Sequence, residues 1–150
     1  MHTVMCIERL ALSLLRYASE RKGKSMEIKN LLDLSQTIAA DIFEGKTYPW
    51  EVLADIGAFT LELGAKLPLE EYDLVGDNVW IAKDAKVAPT AFIAGPAIIG
   101  KGAEVRHCAF IRGNAIVGEN AVVGNSVELK NVIIFNNAQV PHFHLLSHYL

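Results

Sequence analysis

From Val75 to Phe135 an aliphatic or aromatic residue recurs at every sixth position without a miss: Val75, Ile81, Val87, Ile93, Ile99, Val105, Ile111, Val117, Val123, Leu129 and Phe135. Four places after each anchor from Ile81 to Val117 stands an alanine: Ala85, Ala91, Ala97, Ala103, Ala109, Ala115 and Ala121. A period of six matches neither the 3.6-residue turn of a helix nor the alternation of a single strand. It is the hexapeptide pattern of a parallel β-helix, in which each short strand is followed by a turn and three strands close one coil. A large and a small inward residue must alternate if stacked coils are to fill a narrow triangular core, and alanine is the size that fits beside a turn. The place after the anchor is small at Gly76, Ala82, Ala88, Ala94, Gly100, Gly118 and Gly124, which suits a corner; glycine can also take positive φ there. The expected fold is therefore mainly β with a helical N-terminal part.

A chain of 150 residues is one domain in size and can bury a core. Its net charge of −3 gives no reason to expect a nucleic-acid partner or an anionic membrane surface. The charge is uneven, however. Residues 1–25 are basic, residues 26–75 carry ten carboxylates against three lysines, and the repeat region is close to neutral. The acidic middle is most simply a solvated helical surface. Cys6 and Cys108 stand far apart in no metal or redox spacing, so a reducing, cytoplasmic setting is expected, with both cysteines as small packing residues. The first fifteen residues are cut by Glu8 and Arg9 and fall short of a membrane span.

Three helices are expected before the repeat. Residues 4–21 place Leu10, Leu14, Leu15 and Tyr17 on one side and end at Gly23. Met26 opens a second pattern through Ile28, Leu31, Leu32, Leu34, Ile38, Ile42 and Phe43, ended by Gly45; Met26 is also an alternative start, which would make residues 1–25 an extension. The third begins at Tyr48-Pro49-Trp50, with proline suited to a first turn and Leu53, Ile56, Phe59 and Leu63 continuing the apolar stripe. A connector from Gly64 to Asp73 would lead to the coils. The division expected is a helical segment over residues 1–73, capping the open end of the stack, and a β-helix of about four coils over residues 74–150, incomplete at its C-terminal end.

The period slips once. After Leu129 the better continuation is Ile134, Val140 and Leu146, because it restores an alanine, Ala138, four places after its anchor. One turn must be a residue shorter.

Residues eighteen apart stack in adjacent coils, about 4.8 Å apart. Arg112 and Lys130 are so related, on a corner where other coils place a small residue. Two stacked cations repel unless an anion lies between them, so the pair reads either as a phosphate site or as two solvated surface cations. With the slip included, His107, Asn125 and His142 form another column, which reads either as a general base with its neighbours or as a polar surface ladder. Glu128, two residues before Lys130, could neutralise it or orient a base. His142, His144 and His148 raise a zinc reading, but no carboxylate accompanies them and no metal is expected.

On the run Phe110-Ile-Arg-Gly-Asn-Ala, then Val123-Gly-Asn-Ser-Val-Glu-Leu-Lys130, then His142 after the slip, the chain resembles the left-handed β-helix acyltransferases. It is most similar to the acetyltransferase domain of the bifunctional enzymes that make UDP-N-acetylglucosamine. The resemblance implies a left-handed parallel β-helix, a homotrimer with sites in clefts between coils, acetyl-CoA as cosubstrate, and an amino-sugar phosphate or nucleotide sugar as partner. It further implies that Arg112 and Lys130 bind the sugar phosphate and that His142 is the general base for the amine; from the columns themselves, Asn125 is a candidate substrate-binding residue and Glu128 a candidate orienting group. Leu145 replaces a family tyrosine that contacts the sugar, Ser147 replaces a glycine, and the later coils that build the acetyl-CoA groove are not in this chain. The similarity covers about half of it. Three functions follow as expectations: an N-acetyltransferase-like protein of the sugar-nucleotide pathway, a catalytically silent trimeric scaffold, and a metal-dependent hydratase of carbonic anhydrase type.

Overall fold

The computed structural model describes residues 26–149, so the expected helix over residues 4–21 and Cys6 lie outside the described residues. The repeat forms a parallel β-solenoid of about four turns, of the kind that hexapeptide sequences build. Its three faces follow from the pairing. The first face stacks β2 (Val79–Ala82), β5 (Ala97–Ile99), β8 (Ala115–Val117) and the end of β10 (Glu128–Ile134). The second stacks β4 (Phe92–Ile93), β7 (Phe110–Ile111), the start of β10 and β12 (Leu145–Tyr149). The third stacks β3 (Lys86–Val87), β6 (Glu104–Val105), β9 (Val122–Val123) and β11 (Gln139–Val140).

The inner core is the one that the two phases of the repeat dictate. Ile99, Val105, Ile111, Val117, Val123 and Leu129 alternate with Ala97, Ala103, Ala109, Ala115 and Ala121, all essentially without exposure. Gly100 and Gly118 are needed for proximity rather than for positive φ: a Cβ on Gly118 would stand 2.6 Å from the Asn136 backbone nitrogen of the next coil. The left-handed turns fall two places later, at Cys108, Asn114, Asn120 and Ser126, with φ between 50° and 59°. Asparagine tolerates this conformation better than most residues.

The slip after Leu129 is real and has a structural use. Glu128 pairs with Phe110 and Leu129 with Ile111, yet Val132 pairs with Ala115. Where the lower coil turns through Gly113 and Asn114, the upper one has Asn131 alone; Asn131 N–H donates to Gly113 O and Val132 N–H to Asn114 O. With one corner residue removed, β10 runs on from the second face to the first.

The repeat is not continuous at its beginning. Val75 is in phase with the anchors, but β1 (Tyr72–Leu74) folds back antiparallel onto β2, pairing Tyr72 with Ala82 and Leu74 with Trp80. Val75 is consequently exposed rather than part of the inner core. β1 covers the first edge of the first face and leaves β4 as the edge of the second.

The helical segment differs from expectation in form and place. Residues 26–45 make not one helix but α1 (Ile28–Leu31) and two 3-10 turns, Leu34–Gln36 and Ala40–Phe43. Asp33 accepts from Ser35 N–H and Thr37 Oγ1 from Ala39 N–H. Such local side-chain bonds compete with helix continuation. The expected third helix is divided into a 3-10 turn, Pro49–Val52, and α2 (Ile56–Lys66). At the break the Leu53 carbonyl accepts from the Asn131 side chain at 2.9 Å, a tie to the slipped corner. α2 runs past Leu63 through Gly64, where a Cβ would collide with the Trp80 ring.

The segment lies along the side of the stack instead of capping its end. Trp80, Ile98, Ile116 and Ile133 project outward from the first face and pack with Ile28, Ile42, Phe43, Val52 and Ile56 in a second core. These four are the residues just before an anchor on every third strand, so the sheet there is apolar on both sides. Among the described residues, no helix is long and apolar enough to cross a membrane.

Candidate functional site

The second face is narrow, and its two corners carry the polar columns. At the corner before β4 and β7 stand Thr90, His107 and Cys108. At the corner after β7 and after the start of β10 stand Arg112 and Lys130. Arg112 N–H donates to Leu129 O, which fixes Arg112 one coil below Lys130, and Lys130 pairs in register with Ser147. Ser126 N–H donates to His107 O and Phe143 N–H to Asn125 O. Those bonds align His107, Asn125 and His142 in successive coils. The two columns therefore flank one face, with Phe92, Phe110, Glu128 and Leu145 projecting between them.

Electrostatics divide the cationic corner. Arg112 Nη1 donates to Glu128 Oε1 at 2.6 Å, and the guanidinium also lies over the Phe110 ring, 5.8 Å from its centroid. The Lys130 side chain has no hydrogen-bond or ion-pair partner among the described residues. Glu128 thus pairs with Arg112 rather than Lys130, and its backbone N–H donates to His144 O. The corner holds one compensated and one uncompensated cation. A phosphate there would gain from Lys130 directly and from Arg112 by competing with Glu128.

The imidazole column is less uniform. His107 Nδ1 lies 2.9 Å from Thr90 Oγ1, which also accepts from Cys108 N–H at 3.1 Å. His107 is thereby built into a polar ladder. His142 is exposed, with its ring edge-on to Phe143 at 5.2 Å. Asn125 is exposed between the two. Glu128 makes its side-chain ion pair across the face from His142. Cys108 is an exposed thiol in a left-handed turn, not a packing residue. His142 and His144 belong to no group of three or more potential metal ligands among the described residues.

The sequence reading did not single out Thr90 or the outward aromatics. Phe92 and Phe110 meet edge to face at 5.6 Å. Phe92 is 63% exposed and Leu145 63%, against 7% for Trp80 at the equivalent place on the first face. The signal was in the sequence, in the position before each anchor read every eighteen residues.

No protein-family model matches the chain, and no curated protein matches it.

Proposed function

We propose that the second face binds a phosphorylated ligand at the Arg112–Lys130 corner, and that the protein is an N-acetyltransferase-like member of the hexapeptide-repeat group, acting on an amino-sugar phosphate. The observation that carries this reading is the Lys130 ammonium, which has no side-chain hydrogen-bond or ion-pair partner among the described residues and stands on the corner one coil above Arg112, itself paired with Glu128. With Glu128 already neutralising Arg112, the corner keeps one net positive charge on Lys130, to which a phosphate is attracted. In this reading the phosphate fixes the ligand and exposed His142 across the face takes the proton from the amine as it attacks the acetyl-CoA carbonyl; the C–N bond forms, the thioester C–S bond breaks, and coenzyme A leaves as the thiol with that proton. Asn125 beside His142 would hydrogen-bond the sugar, and Glu128 would hold Arg112 extended until the phosphate arrives.

The test is a thermal shift with glucosamine 1-phosphate. The expected result is a raised melting temperature that Arg112→Ala abolishes; no shift with any phosphosugar would sink the reading.

A second reading is a catalytically silent scaffold that assembles as a trimer. The exposed Phe92, Phe110 and Leu145 favour it, because an apolar stripe of that kind on a sheet face is suited to burial against a neighbour. A monomer in sedimentation equilibrium at high protein concentration would count against it, and acetyl-CoA turnover that depends on His142 would eliminate it.

A further inference from the structure

Beneath the edge of the second face lies a recess of about 460 Å³, lined by Leu61 of α2, Val75, Asp77, Asn78, Ile93 and Pro96 among others. Its origin is the broken beginning of the repeat. Val75 would have stacked under Ile93 as one more rung, but β1 turns away to pair with β2, and the place below β4 is left open. Small residues keep it open: Gly76, with φ of 75°, and Ala94 occupy the same column that holds Arg112 in the coil above.

The recess is lined by both apolar and polar residues, Asp77 and Asn78 among the latter. Leu61, Val75, Ile93 and Pro96 supply the apolar part. Asp77 has no hydrogen-bond or ion-pair partner among the described residues. A volume of this size suits a small organic molecule. An anion would meet Asp77 unfavourably, whereas a cation would be drawn towards it.

We propose that this recess is a binding site for a small organic ammonium ion, a primary amine on a compact apolar body, with the ammonium on Asp77 and the body against Leu61, Val75 and Pro96. The site is separate from the phosphate corner and stands or falls without it. Since Asp77 is exposed, the ion pair contributes modestly and the affinity is weak, on the order of millimolar.

Cyclohexylammonium chloride and the neutral, similarly shaped cyclohexanol are the probes, titrated into the full chain and followed by amide NMR shifts. Cyclohexylammonium is expected to move the Leu61, Ile93 and Ala94 signals saturably, and to bind about fivefold tighter than cyclohexanol. Asp77→Asn should remove that preference, Ala94→Leu should block both probes, and Arg112→Ala should change neither. The circular dichroism of each variant checks that it is folded. Equal binding of the two probes, a preference that survives Asp77→Asn, or no saturable shift would each overturn the proposal. Binding of glucosamine 1-phosphate lost in Arg112→Ala but kept in Asp77→Asn reports on the phosphate corner alone.

Discussion

On the first face of the solenoid the residue before each anchor is Trp80, Ile98, Ile116 or Ile133, and the helical segment covers all four. On the second face the same position holds Phe92, Phe110, Glu128 or Leu145, and the chain's described residues leave it open. Both faces present the same inner core to the axis and the same coil spacing to solvent. They differ in what points outward and in how their first edge is closed. The anchors of a hexapeptide repeat therefore report the fold, while the residues beside them report which face is closed and which is available. Fully burying a side chain such as Ile98 is worth about 1.5–3 kcal/mol, so the first face is committed to the chain's own helices.

The largest way to break this contrast is a charge on the closed face. Ile116→Asp would leave a carboxylate unpaired between two apolar layers and should lower stability in urea by about 4 kcal/mol or more. Phe110→Asp on the open face should cost about 1 kcal/mol at most. Comparable losses at the two positions would show that the second face is not open in solution.

A smaller effect is expected at the contact between layers. Gly64→Ala pushes a methyl group into the Trp80 ring and should cost about 1–3 kcal/mol, measured by the same unfolding experiment. An unchanged midpoint would mean that α2 does not rest on Trp80.

Much of this was legible in the sequence, and the limits are physical. The six-residue period states the inner core directly, and the displaced Ala138 betrayed the shortened corner that the pairing of Val132 with Ala115 displays. The helical segment was harder to read. Its apolar residues suggested continuous helices, but Asp33 and Thr37 bond locally and the Leu53 carbonyl is claimed by Asn131, a residue 78 positions away. No helical period encodes such a tie. Nor could an end cap be told from a side layer until the outward residues were sorted by face. At the site, spacing aligned Arg112 with Lys130 and His107 with Asn125 and His142. It could not tell that Glu128 would choose Arg112, since that depends on side-chain reach.

That choice yields a subtler test of the open face. Glu128→Gln removes the carboxylate that competes for Arg112, so affinity for glucosamine 1-phosphate should rise, by about fivefold at most. A fall in affinity by calorimetry would instead assign Glu128 a direct contact with the ligand.

The smallest expected effect concerns pH and the sealed beginning of the first face. Burial pushes the Tyr72 phenol up, nearby Lys101 opposes this, and Glu119, Glu71 and Asp84 add to it. Because the folded state holds the proton more tightly than the unfolded one, the stabilisation is complete below a tyrosine's usual value near 10 and is lost as pH rises through the higher folded value. Urea midpoints taken at pH 8 and in the alkaline range should fall more for the native protein than for Tyr72→Phe. Equal slopes would mean that β1 does not seal Tyr72.

The most direct test is a phosphorus-31 NMR titration of glucosamine 1-phosphate with the native protein, Arg112→Ala, Lys130→Ala and, as a closed-face control, Trp80→Phe. If the open face carries the function, the resonance shifts and broadens with the native protein and the control, and does neither when either cation is removed. A resonance that stays sharp with the native protein, or broadens equally with both cation variants, would contradict it.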